Sequence, residues 1–186
     1  NEFIERAFIA EKKRLENNYR AMFTNLTINS LQRYKIKYIL AKIAQYIESK
    51  RIGGEGAGDL GRYIDKKIEV EHILPNTPTV ELITPFGDVE NYSNYKIKLG
   101  NLTLLEKPHN IVAGRDYFDK KKGIYKQSTF YLTKSIAQKD NIGINTTVTR
   151  INDKLIEFSK WEADDIEKRQ EMLLVLSKDV WDIETL

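Results

Sequence analysis

Residues 67–75 read Lys-Ile-Glu-Val-Glu-His-Ile-Leu-Pro, and residues 99–105 read Leu-Gly-Asn-Leu-Thr-Leu-Leu. The first stretch alternates apolar and polar side chains, as a half-buried strand does, and Pro75 ends it. The second is a short apolar run of the length expected for a strand. We therefore predict a two-stranded antiparallel hairpin formed by about 68–74 and 99–105.

Helical periodicity surrounds these two strands. Apolar side chains recur at three- and four-residue steps over 2–24 and over about 31–50, which predicts two N-terminal helices. Pro108 suits the first turn of a helix after the second strand. Further helical pieces are predicted over about 116–138 and 146–182, the last beginning near Asp164 and Asp165. The predicted fold class is α+β, predominantly α-helical, with helices that enclose the hairpin.

Two of these helices have a predicted buried face. In the second helix its members are Leu31, Tyr34, Tyr38, Ile39, Ile43, Tyr46 and Ile47. In the last helix they are Met172, Leu173, Val175, Leu176 and Val180.

The composition excludes several classes of protein. The chain has 186 residues, of which 41% are hydrophobic, enough for a core and too many for a disordered chain. Cysteine is absent, which excludes disulfide scaffolds, thiolate zinc sites and cysteine nucleophiles. No apolar run reaches the length of a membrane span, and we expect a cytoplasmic protein. The net charge of +3 is compatible with a polyanionic partner.

Half of the glycines lie in residues 53–61. Gly56, Gly58 and Gly61 match a dinucleotide-binding fingerprint by letter, but a predicted helix precedes them where that motif requires a strand. We therefore interpret 53–66 as a flexible linker, and residues 76–98 as irregular. The predicted organisation is a helical part over 1–52, the linker over 53–66, a core over 67–138 and C-terminal helices over 139–186. Together they are expected to form one compact domain.

Four polar residues in and around the predicted hairpin carry the chemistry. Glu71 and His72 end the first strand, Asn101 opens the second, and Asn110 lies in the following helix. Carboxylate and amide oxygens suit Mg²⁺ or Mn²⁺, and a neutral imidazole can accept a proton from water. These are the parts needed for metal-assisted hydrolysis of a phosphodiester. In a regular strand, however, Glu71 and His72 point to opposite faces, so a shared site requires the strand to bend or end there.

The order of these residues resembles a known pattern. Glu71-His72-Ile73-Leu74-Pro75 is followed by Leu99 to Leu105, then Asn110, then Phe118-x-x-Lys121 and Tyr125-x-x-Ser128. This composite motif resembles the C-terminal nuclease domain of GmrSD-type modification-dependent restriction endonucleases, a branch of the HNH (His-Me finger, ββα-metal) superfamily. The resemblance is strongest over about 67–130. It implies that the hairpin and the helix after it form a ββα-metal unit inside the helical fold.

The resemblance also implies a role for each residue. His72 is expected to be the general base, with Asn101 bracing the loop that orients it and Lys121 contacting the scissile or a flanking phosphate. Glu71 and Asn110 are the expected ligands of one Mg²⁺ or Mn²⁺ ion, and His109 is an alternative to Asn110. The remaining expected DNA contacts are Arg115, Lys120, Lys122 and Lys126.

The implied function is a divalent-metal-dependent DNA endonuclease that restricts phage or modified DNA by nicking or, as a possible homodimer, by double-strand cleavage. The family pattern implies a longer bacterial protein with an N-terminal domain that binds nucleotide and senses modified DNA or phage state. Two alternatives remain open from the residues: a non-catalytic module that binds DNA or a partner, and an RNase with the same chemistry.

Overall fold

A computed structural model describes residues 2–141 and 147–183 of the chain. The fold is predominantly helical and contains a two-stranded antiparallel sheet, as predicted. The strands are β1 (Ile68–His72) and β2 (Leu102–Glu106). The helices in chain order are α1 (Glu2–Thr24), α2 (Arg33–Ile52), α3 (Gly54–Ala57), α4 (Gly61–Ile64), α5 (Val80–Ile83), α6 (Val89–Lys96), α7 (Lys107–Ala113), α8 (Phe118–Tyr125), α9 (Tyr131–Ala137), α10 (Thr147–Asp153) and α11 (Ala163–Val180).

The sheet has the predicted partners and a register that is easy to rationalise. Ile68 lies opposite Glu106, and His72 lies opposite Leu102. All the apolar side chains of β2 are buried, because helices cover both faces of this strand. Helix α7 begins directly after β2. The chain therefore runs strand, strand and helix in the order that the sequence predicted.

The second strand begins three residues later than predicted, because residues 99–101 form a 3₁₀ turn. A Cβ atom at Gly100 would lie 2.3 Å from the backbone carbonyl oxygen of Ile166 in α11. The turn and α11 therefore approach each other as closely as only a glycine allows. Helix α11 thus packs directly on the turn that carries Asn101.

Helix α2 runs through the centre of the larger hydrophobic core. Its buried side chains include Ile36, Leu40, Ile43 and Ile47, which recur at three- and four-residue steps. The predicted buried stripe was partly wrong, since Tyr34 is 65% exposed. The remaining predicted members that are exposed are Leu31 and Tyr38. In α11, Val175 is exposed and Leu174 is buried instead, so the inward face is turned slightly from the predicted one.

Two segments that were predicted as irregular contain short helices. Helices α3 and α4 lie within the glycine-rich stretch, and the buried Tyr63 donates a hydrogen bond to the carbonyl of Ala57, at 2.8 Å. Helices α5 and α6 lie within 76–98, where Asp88 caps α6 by accepting from the backbone N–H of Asn91. Burial of a few aromatic side chains holds these segments, although glycine and proline weaken their local preference for a helix.

The C-terminal part follows the prediction in outline. The helical piece predicted over 116–138 is two helices, α8 and α9, separated by a turn. Helix α11 begins with a capping box in which Glu162 and Asp165 bond each other's backbone N–H groups. Residues 142–146, which include the start of the predicted 146–182 helical region, and 184–186 lie outside the described residues. Within the described ranges, no helix has both the length and the apolar character needed to cross a membrane.

Candidate functional site

A polar cleft of about 670 Å³ runs beside β1. Among the described residues, strand β1 pairs with β2 alone, and it ends at His72. Three successive residues of this strand contribute to the cleft, and because the strand ends there, side chains of both its faces can reach the opening. The lining residues are Ile28, Asn29, Arg33, Val70, Glu71, His72, Asn76, Ile97 and Asn110. The cleft therefore brings together Glu71, His72 and Asn110.

His72 is only partly buried and borders the cleft. Burial lowers its pKa from 6.5 to about 4, assisted by the positive charges of Lys121, Arg33 and Lys96. The imidazole is therefore neutral at pH 7, and a neutral imidazole can accept a proton. A phosphate anion in the cleft would oppose these positive charges and raise the pKa toward neutrality.

Glu71 lies in a buried group of three side chains. Its Oε1 accepts from Lys121 Nζ at 2.7 Å and from the Tyr125 hydroxyl at 2.9 Å. Lys121 also donates to the carbonyl oxygen of His72, at 2.8 Å. Both side-chain bonds to Glu71 end on Oε1, so Oε2 takes part in neither. Burial raises the pKa of Glu71 against the opposing charge of Lys121.

Lys121 has 0% exposure and does not line the cleft. Its expected contact with a DNA phosphate would require it to leave Glu71. In this arrangement it acts instead on the two residues of the site: it neutralises one carboxylate and holds the backbone of His72. Lys121 therefore contacts Glu71 and His72 from the protein interior and not from the cleft.

Asn101 fixes the chain immediately after His72. Its Oδ1 accepts from the backbone N–H of Leu74 at 2.6 Å, and its Nδ2 donates to the carbonyl of Leu74 at 3.1 Å. The indole of Trp161 donates to the same Oδ1, at 2.9 Å. The neighbouring carbonyls of Gly100 and Leu102 accept from the buried Arg169, whose pKa burial lowers to about 9. Asn101 therefore braces the loop that follows the candidate base.

Asn110 reaches the cleft from α7 with a defined amide orientation. Its Nδ2 donates to Glu69 Oε2 at 2.6 Å. Because an ionised carboxylate can only accept hydrogen bonds, this contact requires the amide nitrogen to face Glu69 and the oxygen to face away. The Asn110 Oδ1 is buried and has no hydrogen-bond partner in the described part of the chain. A buried acceptor without a donor costs roughly 1–3 kcal/mol, which marks this atom as a candidate ligand.

His109 is arranged differently from its neighbour. Its Nδ1 lies 3.3 Å from Glu106 Oε2, and it is absent from the cleft lining. Glu106 also accepts from the Ser128 hydroxyl and from the backbone N–H of Thr129. This cluster ties the start of α7 to the turn between α8 and α9. The geometry favours Asn110 over His109 as the residue that faces the cleft.

The predicted basic DNA contacts lie on the surface that follows α7. Arg115, Lys120 and Lys126 are exposed, and Lys122 is half-buried over the ring of Phe118. None of these four residues borders the cleft. They belong to the segment that follows α7 and are not part of the cleft lining.

Three residues around the cleft had no site role in the sequence prediction, although Tyr125 belongs to the composite motif. Glu69 orients Asn110, Tyr125 bonds Glu71, and Arg33 lines the cleft. Tyr125 had a signal, because 118, 121 and 125 recur at helical spacing and place Lys121 on the same buried face. Arg33 had none, since its position depends on contacts between segments far apart in the chain.

Comparison with known protein families gives one match. Residues 14–176 match the family described as GmrSD restriction endonucleases, C-terminal domain. The match covers most of the chain and includes both strands, α7 and all the residues of the candidate site. No curated protein and no solved structure matches the chain significantly.

Proposed function

Because the chain belongs to the family of GmrSD restriction endonuclease C-terminal domains, we propose that it is a divalent-metal-dependent DNA endonuclease of the HNH type. We place its active site in the cleft along β1. The observation that carries this proposal is the convergence of Glu71, His72 and Asn110 on one opening. Glu71 and Asn110 each have a side-chain partner, and the backbone carbonyl of His72 accepts a hydrogen bond from Lys121.

The residues present fit a divalent cation. Asn110 Oδ1 is a buried oxygen without a donor, and Glu71 supplies a carboxylate at the same cleft. Oxygen ligands of this kind suit Mg²⁺ or Mn²⁺. When bound, the ion would supply Lewis-acid stabilisation of charge that develops on the phosphate oxygens. Within the described ranges no group of three or more His, Cys, Asp or Glu side chains could hold a metal, so we expect water and substrate to complete the coordination of one ion per site.

His72 is the proposed general base. Its neutral imidazole borders the cleft, and it can take a proton from a water molecule that attacks the phosphorus. Lys121 holds the carbonyl of His72, and Asn101 holds the backbone of Leu74 two residues later. These bonds fix the position of the backbone that carries the imidazole. A preorganised base avoids the entropic cost of being oriented during the reaction.

The proposed substrate is DNA. The exposed surface after α7 carries Arg115, Lys120, Lys122 and Lys126, which we propose as contacts to flanking phosphates. Each phosphate neutralised would steepen the dependence of log affinity on log salt by about 0.9 for a duplex. The experiment that follows distinguishes nicking from double-strand cleavage, and DNA from RNA as the substrate.

The test is cleavage of supercoiled plasmid DNA with Mg²⁺ or Mn²⁺, with and without a chelator. We expect nicked or linear DNA only when the metal is present, and little cleavage of structured RNA. Replacing His72 by Ala should reduce the rate by about 10²–10⁴-fold, the usual contribution of a general base. Replacing His109, the other histidine, should change the rate little.

Purified variants should have melting temperatures close to that of the parent chain, so that loss of activity is not loss of fold. Equal cleavage by the parent chain and the His72→Ala variant, or cleavage that survives the chelator, would contradict the proposal. Preferential cleavage of RNA would support the proposed mechanism but would show that the substrate is RNA and not DNA.

A further inference from the structure

Part of the cleft lining comes from outside the strand–strand–helix unit, including Ile28, Asn29 and Arg33. Residues 25–32 connect α1 to α2 and pair with the segment just before Asn101. The backbone N–H of Ile28 donates to the carbonyl of Ile97 at 2.7 Å, and that of Leu99 donates to the carbonyl of Leu26 at 3.0 Å. These bonds fix the start of α2 beside the cleft, where Arg33 is its first residue.

Arg33 differs from the other basic residues near His72. Lys121 is bonded to Glu71, and Lys96 donates to the carbonyl of Asn76 at 3.0 Å. Arg33 is exposed, and within the residues that the structure describes its side chain has neither an ion pair nor a hydrogen bond. The first turn of α2 contains no acidic residue that could neutralise it.

Arg33 places an exposed positive charge in the lining of the cleft. Arg33 is close enough to His72 that its charge contributes to the lowered pKa of the imidazole. The cleft therefore contains a guanidinium that repels neighbouring cations and has no protein anion to bind. A guanidinium presents a planar set of donors that matches the oxygens of a phosphate group.

We propose that Arg33 binds a backbone phosphate of the substrate in the cleft, on the side facing His72. The residue is a substrate-binding residue supplied by the N-terminal helices, so the nuclease site extends beyond the ββα unit. This inference rests on the proposed function in one respect: it takes the substrate to be a nucleic acid. The N-terminal helices then contribute directly to the site in addition to supporting the hairpin.

The test is the salt dependence of binding to a fluorescently labelled DNA duplex, measured by anisotropy at a fixed Mg²⁺ concentration. The parent chain carries His72→Ala so that the duplex stays intact. Arg33→Gln is compared with Lys35→Gln, which removes the same charge from an exposed residue two positions away that does not line the cleft. Arg33→Lys keeps the charge and loses the planar donor set.

We expect Arg33→Gln to reduce the magnitude of the log–log slope by about 0.9, the value for one lost phosphate contact with a duplex. Lys35→Gln should leave the slope unchanged, and Arg33→Lys should restore it with weaker binding. Equal slopes for the two glutamine variants, or no binding of the parent chain to the duplex, would overturn the assignment. Cleavage by the metal-loaded wild-type chain is scored separately, so a slope change without cleavage supports Arg33 and contradicts the nuclease proposal.

Discussion

The buried ion pair between Lys121 and Glu71 gives a prediction whose size follows from the geometry. Lys121 is fully buried, and its ammonium group donates to Glu71 Oε1 and to the carbonyls of His72 and Ile73, at 2.7, 2.8 and 3.4 Å. Replacing Lys121 by Met removes the charge and all three donors while keeping most of the volume. The Glu71 carboxylate then remains buried beside Tyr125 without a cation.

Removing one partner of a buried ion pair costs about 3–5 kcal/mol. Domains of this size are stable by about 5–15 kcal/mol, so Lys121→Met should lose a large share of the stability. Replacing Glu71 by Gln in the same chain removes the uncompensated charge. The double variant should therefore be more stable than Lys121→Met alone. Urea unfolding, followed by circular dichroism, measures the free energy of unfolding of all four chains in the cycle.

The pH dependence of the Lys121→Met variant provides a second measure of the same effect. Burial raises the pKa of Glu71 above 4.5 even beside Lys121, and loss of that cation removes the main opposing influence. Above pH 4.5 the folded variant then holds a proton that the unfolded chain releases, so its stability should fall as the pH rises through this window. A loss below 1 kcal/mol for Lys121→Met at pH 7, or a double variant no more stable than the single one, would refute this reasoning.

Three further predictions concern the turn, the base and the amide. Gly100→Ala should lower the free energy of unfolding by about 1–3 kcal/mol, because the new Cβ would collide with the backbone of α11. Thermal melting measures this loss against the control variant Gly123→Ala, whose Cβ meets nothing within 4 Å. The pKa of His72 is lowered to about 4, so the unfolded chain takes up this proton at a higher pH than the folded chain. The free energy of unfolding should therefore fall by up to about 3 kcal/mol as the pH falls from 6.5 toward 4. Urea unfolding of the His72→Gln variant should show a pH dependence of stability that is weaker by that amount. Glu69→Ala should raise the Mg²⁺ concentration needed for half-maximal cleavage, because Asn110 loses the acceptor that orients its amide. Glu69→Gln keeps an acceptor and should have a smaller effect. Equal effects of the two variants would argue that Glu69 does not act by orienting Asn110.

The hairpin could be predicted from sequence because its information is local. The alternation over 68–72 identifies β1, and Pro75 marks where it ends. The apolar run over 99–105 predicts β2, which begins at Leu102 in the structure. Pairing of the two strands brings the end of β1 close to Asn101. The meeting of Glu71 and His72 at one cleft could not be derived in this way, because it depends on where β1 ends and on which distant segments pack beside it.

Other features depend on packing that local patterns do not contain. Lys121 is one of three consecutive lysines, and only its helical spacing from Phe118 and Tyr125 distinguishes it from its exposed neighbour Lys120. Arg33 reaches the cleft through bonds between residues about 70 positions apart in the chain. The short helices α3 to α6 form in glycine- and proline-containing stretches because tertiary contacts override weak local preference.

The most direct test of the account is a crystal structure of the His72→Ala chain bound to a DNA duplex and Mn²⁺, with the ion located by its anomalous scattering. We predict an ion in contact with Asn110 Oδ1 and the Glu71 carboxylate, and a backbone phosphate in the cleft beside residue 72. An ion and a phosphate bound together on another surface, with the cleft along β1 empty, would contradict the proposed active site.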